Sequence, residues 1–325
     1  MKTVVERYLN EVWYGKRPGM WLRPLGALYG AAMRARRAAY RRGWRAVYRP
    51  PIPVIVVGNR TVGGTGKTPM VIELVARLSA CGAVPGVISR GYGGAVTGAE
   101  AKRVEAASRS AVVGDEPVLV ARRTGALVAV SPTRRLACEL VMDAGANVIV
   151  ADDGLQHLAL ARDVAINVID GTRGLGNARC LPAGPMREPR DLAADDALDM
   201  INGQDFELVP DGIRTLQTGQ TEPLDAWQGR RVHAVAGIGH PDRFFKVLSD
   251  AGLNVVAHPR GDHAPLSLDD LDFGDDDPVV MTEKDAVKLT SVNERVHDVP
   301  VTAVPTPEAA ARLDGAIAML LEATA

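Results

Sequence analysis

Eight residues constrain this chain more than any others: Thr61-Val62-Gly63-Gly64-Thr65-Gly66-Lys67-Thr68. They follow a short apolar run rich in β-branched residues (54–57) and precede an apolar pattern of helical period (70–80). A Gly-rich loop between a strand and a helix folds its backbone N–H groups into a nest that, with the helix N-terminus, cradles phosphate oxygens. In that setting Lys67 neutralises charge on the β- and γ-phosphates of ATP and the Thr68 hydroxyl ligates Mg²⁺. The usual pattern opens with glycine, and here Thr61 occupies that place. Gly63, Gly64 and Gly66 remain, and the strand–loop–helix context is the one a P-loop requires.

A second run, Asn147-Val148-Ile149-Val150-Ala151-Asp152-Asp153, is an apolar strand ending in two carboxylates. In P-loop enzymes an Asp at such a strand end holds the Mg²⁺ that bridges the phosphates, although Asp-Asp-Gly is also a good turn. A guanine-reading Asn/Thr-Lys-x-Asp motif is not met: Asn202-Gly203-Gln204-Asp205 lacks the Lys, and Thr282-Glu283-Lys284-Asp285 carries it one place late. A kinase also needs a group near the γ-phosphate to accept the proton of the attacking hydroxyl. Gly114-Asp115-Glu116-Pro117, read as a loop or a helix start, and Asp262-His263, read as a loop, are the candidates.

Around these motifs, further continuous apolar runs at 85–89, 127–130, 148–150 and 164–169 alternate with helical segments. This pattern predicts an α/β fold, a P-loop NTPase-like parallel sheet with helices on both faces. After polar residues around Pro210 and Pro223, a second alternation gives strands at 232–236, 253–257, 278–281 and 301–304 and helices at 241–251 and 307–322. At roughly 150 residues per domain, 325 residues suggest two units. The expected organisation is a basic N-terminal segment (1–50), a P-loop core (51–205), a linker (206–228) and a smaller α/β unit (229–325).

Three scattered cysteines, Cys81, Cys138 and Cys180, show no zinc or disulfide spacing and suit a reducing cytoplasm. Charges at Lys2, Glu6, Arg7 and Glu11 break any secretory h-region, and no apolar run approaches the ~18 residues needed to span a bilayer. The net charge of -1 hides an asymmetry: residues 1–50 hold twelve Lys/Arg against two Glu, with three of the four Trp and five of the six Tyr. A helix from about Pro24 to Arg45 would place Leu25, Leu28, Tyr29, Ala32 and Met33 on one face and Arg34, Arg37 and Arg41 on another. Basic residues interleaved with Trp and Tyr suit a membrane–water interface. The alternatives are a helix packed on the core with a solvated basic face, and, less favoured without a binding motif, a nucleic-acid patch.

Together the motifs resemble the tetraacyldisaccharide 4'-kinase family. The matching stretches are Val57-Gly58-Asn59 leading into the P-loop, Ser89-Arg90-Gly91-Tyr92-Gly93-Gly94, Val113-Gly114-Asp115-Glu116-Pro117 and Ala151-Asp152-Asp153-Gly154-Leu155-Gln156-His157. They continue with Leu181-Pro182-Ala183-Gly184-Pro185-Met186-Arg187-Glu188-Pro189, Ala236-Gly237-Ile238-Gly239 and Met281-Thr282-Glu283-Lys284-Asp285-Ala286. The resemblance implies transfer of the ATP γ-phosphate to the 4'-hydroxyl of an acylated glucosamine disaccharide 1-phosphate, giving lipid IVA. It implies peripheral association with the cytoplasmic face of the inner membrane, a site between the two units and no obligate protein partner. It assigns Asp115 and His263 as a catalytic dyad and Asp152 and Asp153 to the metal site, with Glu116 beside it. The charges of Arg90 and Arg187 suit phosphate groups. The family often has Asp-His-His where Ala264 follows His263 here, so only His263 can serve.

Overall fold

The computed structural model describes residues 2–15, 19–192 and 197–322 of the 325. Met1, 16–18, 193–196 and 323–325, which fall in the basic segment, the P-loop core and the C-terminal unit expected above, lie outside the described residues. The chain opens with helices α1 (Lys2–Tyr14) and α2 (Arg23–Arg41). An α/β alternation follows: β1 (Val54–Gly58), α3 (Lys67–Ala80), β2 (Pro85–Ser89), β3 (Lys102–Val104), α4 (Ser110–Val113), α5 (Asp115–Thr124), β4 (Leu127–Val130), α6 (Arg134–Asp143), β5 (Val148–Asp152) and β6 (Val164–Asp170). It continues with β7 (Leu198–Asn202), β8 (Phe206–Pro210), β9 (Ile213–Thr215), β10 (Thr221–Glu222), β11 (Arg231–Ala236), α7 (Pro241–Asp250) and β12 (Asn254–Pro259). The last elements are β13 (Val279–Thr282), α8 (Glu283–Ala286), β14 (Val296–Val299), β15 (Val301–Pro305) and α9 (Pro307–Glu322).

Two sheets result. The nine-stranded one runs β15-β8-β7-β6-β1-β5-β2-β4-β3, and the six-stranded one β10-β9-β14-β13-β11-β12. The central strands of the first are parallel and carry Val, Ile and Ala on both faces, because both faces are covered. Met70, Leu74 and Leu78 of α3, Val118 of α5, and Leu313 and Ile317 of α9 close one face. Ala137, Cys138 and Val141 of α6, with Leu155 and Leu160, close the other.

The stretch 206–228, expected as a linker, is instead structured. β8 joins the first sheet, β9 and β10 join the second, and Phe206 is fully buried in the first core. In β8 only Phe206 is fully buried while Glu207 and Val209 are exposed, so the segment reads locally as linker. The run 301–304, expected in the second unit, also changes place: β15 pairs antiparallel with β8 in the first sheet, and α9 returns to the first core. Phe206→Ala is expected to cost about 3–5 kcal/mol, read as a lower thermal unfolding midpoint by circular dichroism.

The alternative of α2 packed on the core with a solvated basic face does not hold, since Leu25 and Leu28 are exposed and Arg34 and Arg37 pair with the body. Gly26 and Gly30 form its buried side: a Cβ on Gly26 would stand 2.8 Å from the Ala183 Cβ and 2.9 Å from the Cys180 carbonyl oxygen. Arg34 pairs with Asp191 at 2.9 Å and Arg37 with Glu188 at 3.3 Å, and Arg37 also donates to the Leu192 carbonyl. The arginines hold the helix to the body, while Leu25 and Leu28 face outward.

Candidate active site

β1 lies between β5 and β6, with Val57 in register with Asp152, so the loop leaving β1 and the carboxyl end of β5 share one edge. Ligands of open α/β sheets bind at that edge. In the loop, Gly63 (φ 114°) and Gly66 (φ 97°) adopt left-handed backbone that side chains disfavour. Thr61 does not: it is buried, bridges to Met186, and so replaces the usual glycine without strain. The Val62 N–H donates to the Pro185 carbonyl at 2.9 Å. The Asn59 side-chain amide donates to the Gly63 carbonyl and the Thr65 hydroxyl, both at 3.3 Å, bracing the loop from beneath. Gly64 stays open on its outer side, Gly66 caps α3, and Lys67 and Thr68 are the first two residues of that helix.

The acids follow on β5. Asp152 is buried, and its Oδ1 has no hydrogen-bond partner among the described residues. Burial, reinforced by the carboxylates of Glu116 and Asp153, pushes Asp152 up to about 7. Asp153 goes the other way. Burial opposes its charge, but Lys67, with Nζ 3.9 Å away, and Arg187, bonded to both oxygens at 2.9 and 2.8 Å, hold it below the ordinary carboxylate range. Its backbone is left-handed, φ 48°, a conformation rare outside Gly but several-fold enriched for Asp, Asn and His. The buried Arg134 supports this turn by donating to the Asp152 carbonyl at 2.8 Å. Arg90 stands exposed just past β2, its charge bearing on Arg134.

Asp115 and Glu116 form the first turn of α5. Asp115 is buried, and its Oδ2 lies 3.1 Å from His263 Nδ1 and 3.9 Å from Lys288 Nζ. Glu116 is ion-paired with Lys284 at 3.1 Å. Burial opposes its charge, yet Lys284 and Lys67 together hold its carboxyl below the ordinary range. His263, from the loop after β12, is a second left-handed non-glycine, φ 58°. Backbone strain of this kind persists only where surrounding contacts determine it. Elements of the second sheet thus reach residues at the edge of the first. Gly239 completes the approach: a Cβ there would lie 3.1 Å from the Gly64 nitrogen of the P-loop. The ion pair from Arg123 of α5 to Glu283 of α8 (3.0 Å) ties the two sheets together behind the cluster, and Arg214 of the second sheet holds Glu283 (3.1 Å) and Asp298 (2.6 Å) from its own side.

The family profile described as Tetraacyldisaccharide-1-P 4'-kinase matches residues 19–318. The chain belongs to this family. It is 50% identical over 317 residues to the tetraacyldisaccharide 4'-kinase of Alkalilimnicola ehrlichii, covering 94% of this chain and 96% of the relative. It is 46% identical over 312 residues to that of Xanthomonas euvesicatoria, covering 90% of each. Its fold matches the "apo" form of LpxK from Aquifex aeolicus in complex with ATP. The TM-score is 0.74 and the identity 26%, over 92% of this chain and 98% of that one.

Within this 4'-kinase family member, the residues singled out from sequence come together as one cluster. Thr61 to Thr68, Asp152 and Asp153 share the strand-end edge, and Asp115 meets His263 across 148 residues of chain. Arg187 lies on Asp153, whereas Arg90 remains outside the ion pairs described. Sequence reasoning missed Arg134, Lys284 and Lys288. Lys284 and Lys288 lie in and just after the Thr282–Asp285 run, which in the sequence reads as a near miss to a nucleotide-base motif and as part of a family stretch, with no role for either lysine. The run's position directly after an apolar strand was the available signal.

Proposed function

We propose that the chain transfers the γ-phosphate of ATP to the 4'-hydroxyl of an acylated glucosamine disaccharide 1-phosphate, giving lipid IVA. The observation that carries this reading is the 3.1 Å contact between His263 and Asp115, closed across two sheets within one charged cluster with the P-loop lysine. An alcohol acceptor must give up its proton as the phosphoryl group arrives, and a carboxylate held by an imidazole beside the P-loop lysine is suited to take it.

In this mechanism the P-loop N–H groups and Lys67 hold the triphosphate and take up charge developing on the γ-phosphoryl oxygens. Asp115 accepts the proton of the 4'-hydroxyl, and His263 orients the carboxylate. The donor set at the strand ends fits Mg²⁺: hard oxygen ligands, one of them the buried, unpartnered Asp152 Oδ1 of a carboxyl that burial and its acidic neighbours push toward protonation. Thr68, Asp152 and Asp153 would hold that ion, which when bound neutralises phosphate charge. Approach of the two sheets excludes water from the γ-phosphate. The 51–205 core and the second unit are the bodies that would move, with β8, β15 and α9 assigned to the first.

No helix among the described residues is long and apolar enough to cross a membrane. Met20, Trp21, Leu25 and Leu28 are nonetheless 64, 65, 49 and 69% exposed on one N-terminal surface beside Arg23. An apolar surface rimmed by cations supports peripheral seating on the cytoplasmic face of the inner membrane, where the lipid acceptor resides. Trp21→Glu combined with Leu28→Glu is expected to weaken cosedimentation with anionic phospholipid vesicles about ten-fold or more while leaving ATP binding intact. An equal loss of both would mean that the surface is part of the core.

The deciding experiment follows label from γ-³²P-ATP into the monophosphorylated, acylated disaccharide in detergent micelles. Label on the lipid supports the kinase. Label released only as free phosphate, with or without acceptor, identifies a P-loop ATPase instead.

A further inference from the structure

The short helix α8 brings a third ionisable side chain onto the Asp115–His263 pair. Lys284 Nζ lies 3.1 Å from Glu116 Oε1, 3.3 Å from Asp262 Oδ1 and 3.2 Å from His263 Nε2, and its side chain is only 17% exposed. Burial alone would favour the neutral amine, but the carboxylates of Glu116 and Asp262 outweigh it and hold the ammonium above its ordinary value. Lys284 is therefore charged at neutral pH, with three N–H donors and no lone pair.

That gives the contact with His263 one polarity. A charged lysine can only donate, so Nε2 must accept, and an accepting imidazole nitrogen carries no proton. The single proton of the neutral ring then sits on Nδ1, which faces Asp115 Oδ2. We infer that, granted the base role proposed for Asp115, Lys284 is a positioning residue for the transfer. It fixes His263 as the neutral Nδ1–H tautomer, so that Asp115 meets the acceptor hydroxyl as an ionised base. Oδ2 is engaged by Nδ1–H and lies near Lys288, leaving Oδ1 for the incoming proton.

The groups facing the imidazole define what removing Lys284 does. Asp115 approaches from α5, with Lys288 behind it. Asp262, on the same loop as His263, stands 3.7 Å from Nε2, and the Tyr92 ring lies edge-on with its centroid 5.1 Å away. Without the ammonium, Nε2 faces a carboxylate and the ring gains a second proton more readily. An imidazolium pinned to Asp115 lowers the basicity of that carboxylate and so slows proton acceptance. A lysine that only clamped Glu116 to α8 would have no such effect on the ring.

The test uses full-length protein labelled with ¹⁵N at histidine, with the His263 ring signals assigned by their absence in His263→Gln. Long-range ¹H–¹⁵N correlation reads the tautomer without any acceptor, so it stands even if the kinase assay fails. The native ring is expected as Nδ1–H, retained in Lys284→Arg. In Lys284→Met, the imidazolium form should persist about one pH unit or more higher. The acid limb of kcat/KM should move by the same interval, so that Lys284→Met regains about four-fold of its lost activity on going from pH 7 to pH 9. An Nε2–H tautomer in the native protein overturns the inference. So does a Lys284→Met ring that titrates like the native one while its rate is depressed equally at every pH. If Lys284→Met does not fold, the native tautomer still decides.

Discussion

Asp115→Ala lowers acceptor-dependent phosphoryl transfer by about 10²–10⁴-fold, the range of a positioned general base, while the affinity for ATP stays close to that of the native chain. The reason lies in the placement of the carboxylate. Asp115 begins α5 and does not belong to the P-loop, whose brace runs through Asn59, Thr65 and Pro185. Removing the carboxylate leaves His263 without its Oδ2 partner, but Lys288 keeps its 2.6 Å pair with Asp285. The loss should therefore be chemical more than structural. Label transfer under single turnover, with nucleotide binding and thermal unfolding measured alongside, separates the two. Asp115→Asn, which keeps the shape and removes the basicity, should be impaired nearly as much. A rate within about three-fold of native in either variant would remove Asp115 from the mechanism.

Lys67→Ala reduces transfer by ~10²–10³-fold or more, because a preorganised cation aimed at charge that grows in the transition state is worth several kcal/mol in a dry site. Its effect on ATP affinity should also be visible, unlike that of Asp115→Ala, since the lysine meets phosphate in the ground state too. A second consequence follows from its neighbours. Lys67 is one of three cations, with Arg187 and Arg134, holding Asp153 below the ordinary carboxylate range and one of those opposing protonation of Asp152. Without it, three carboxylates, Glu116, Asp152 and Asp153, share an edge with Arg187 paired to Asp153, Lys284 to Glu116 and the buried Arg134 nearby. Fluorescent-nucleotide titration and the transfer assay together check this prediction. Transfer within about three-fold of native would contradict the role of Lys67.

Much of this molecule is legible one segment at a time. β1, β2, β4, β5 and β6 appear as continuous apolar runs because both faces of the sheet are covered, and α3, α7 and α9 show helical period. The Gly-rich loop is legible because two of its residues need glycine backbone and a lysine and threonine follow at the spacing a P-loop uses. Short strands near sheet edges fail this kind of reading. β8 fully buries Phe206 alone, β10 is two residues long and exposed, and Pro210 looks like a breaker although it sits at a strand end.

By itself, then, the sequence determined the longer apolar strands and helices, the Gly-rich loop and the carboxylates at the end of β5, since each depends on residues adjacent in the chain, but not β7 and β14. Tertiary structure decided the rest. Only packing moves β15 from the second sheet to the first, turns Leu25 and Leu28 outward by burying Gly26 and Gly30, and sets His263 and Lys284 beside Asp115. These are contacts between residues far apart in the chain, whose free energy comes from burial and charge pairing after loops have closed, and no period or propensity within either segment encodes its partner.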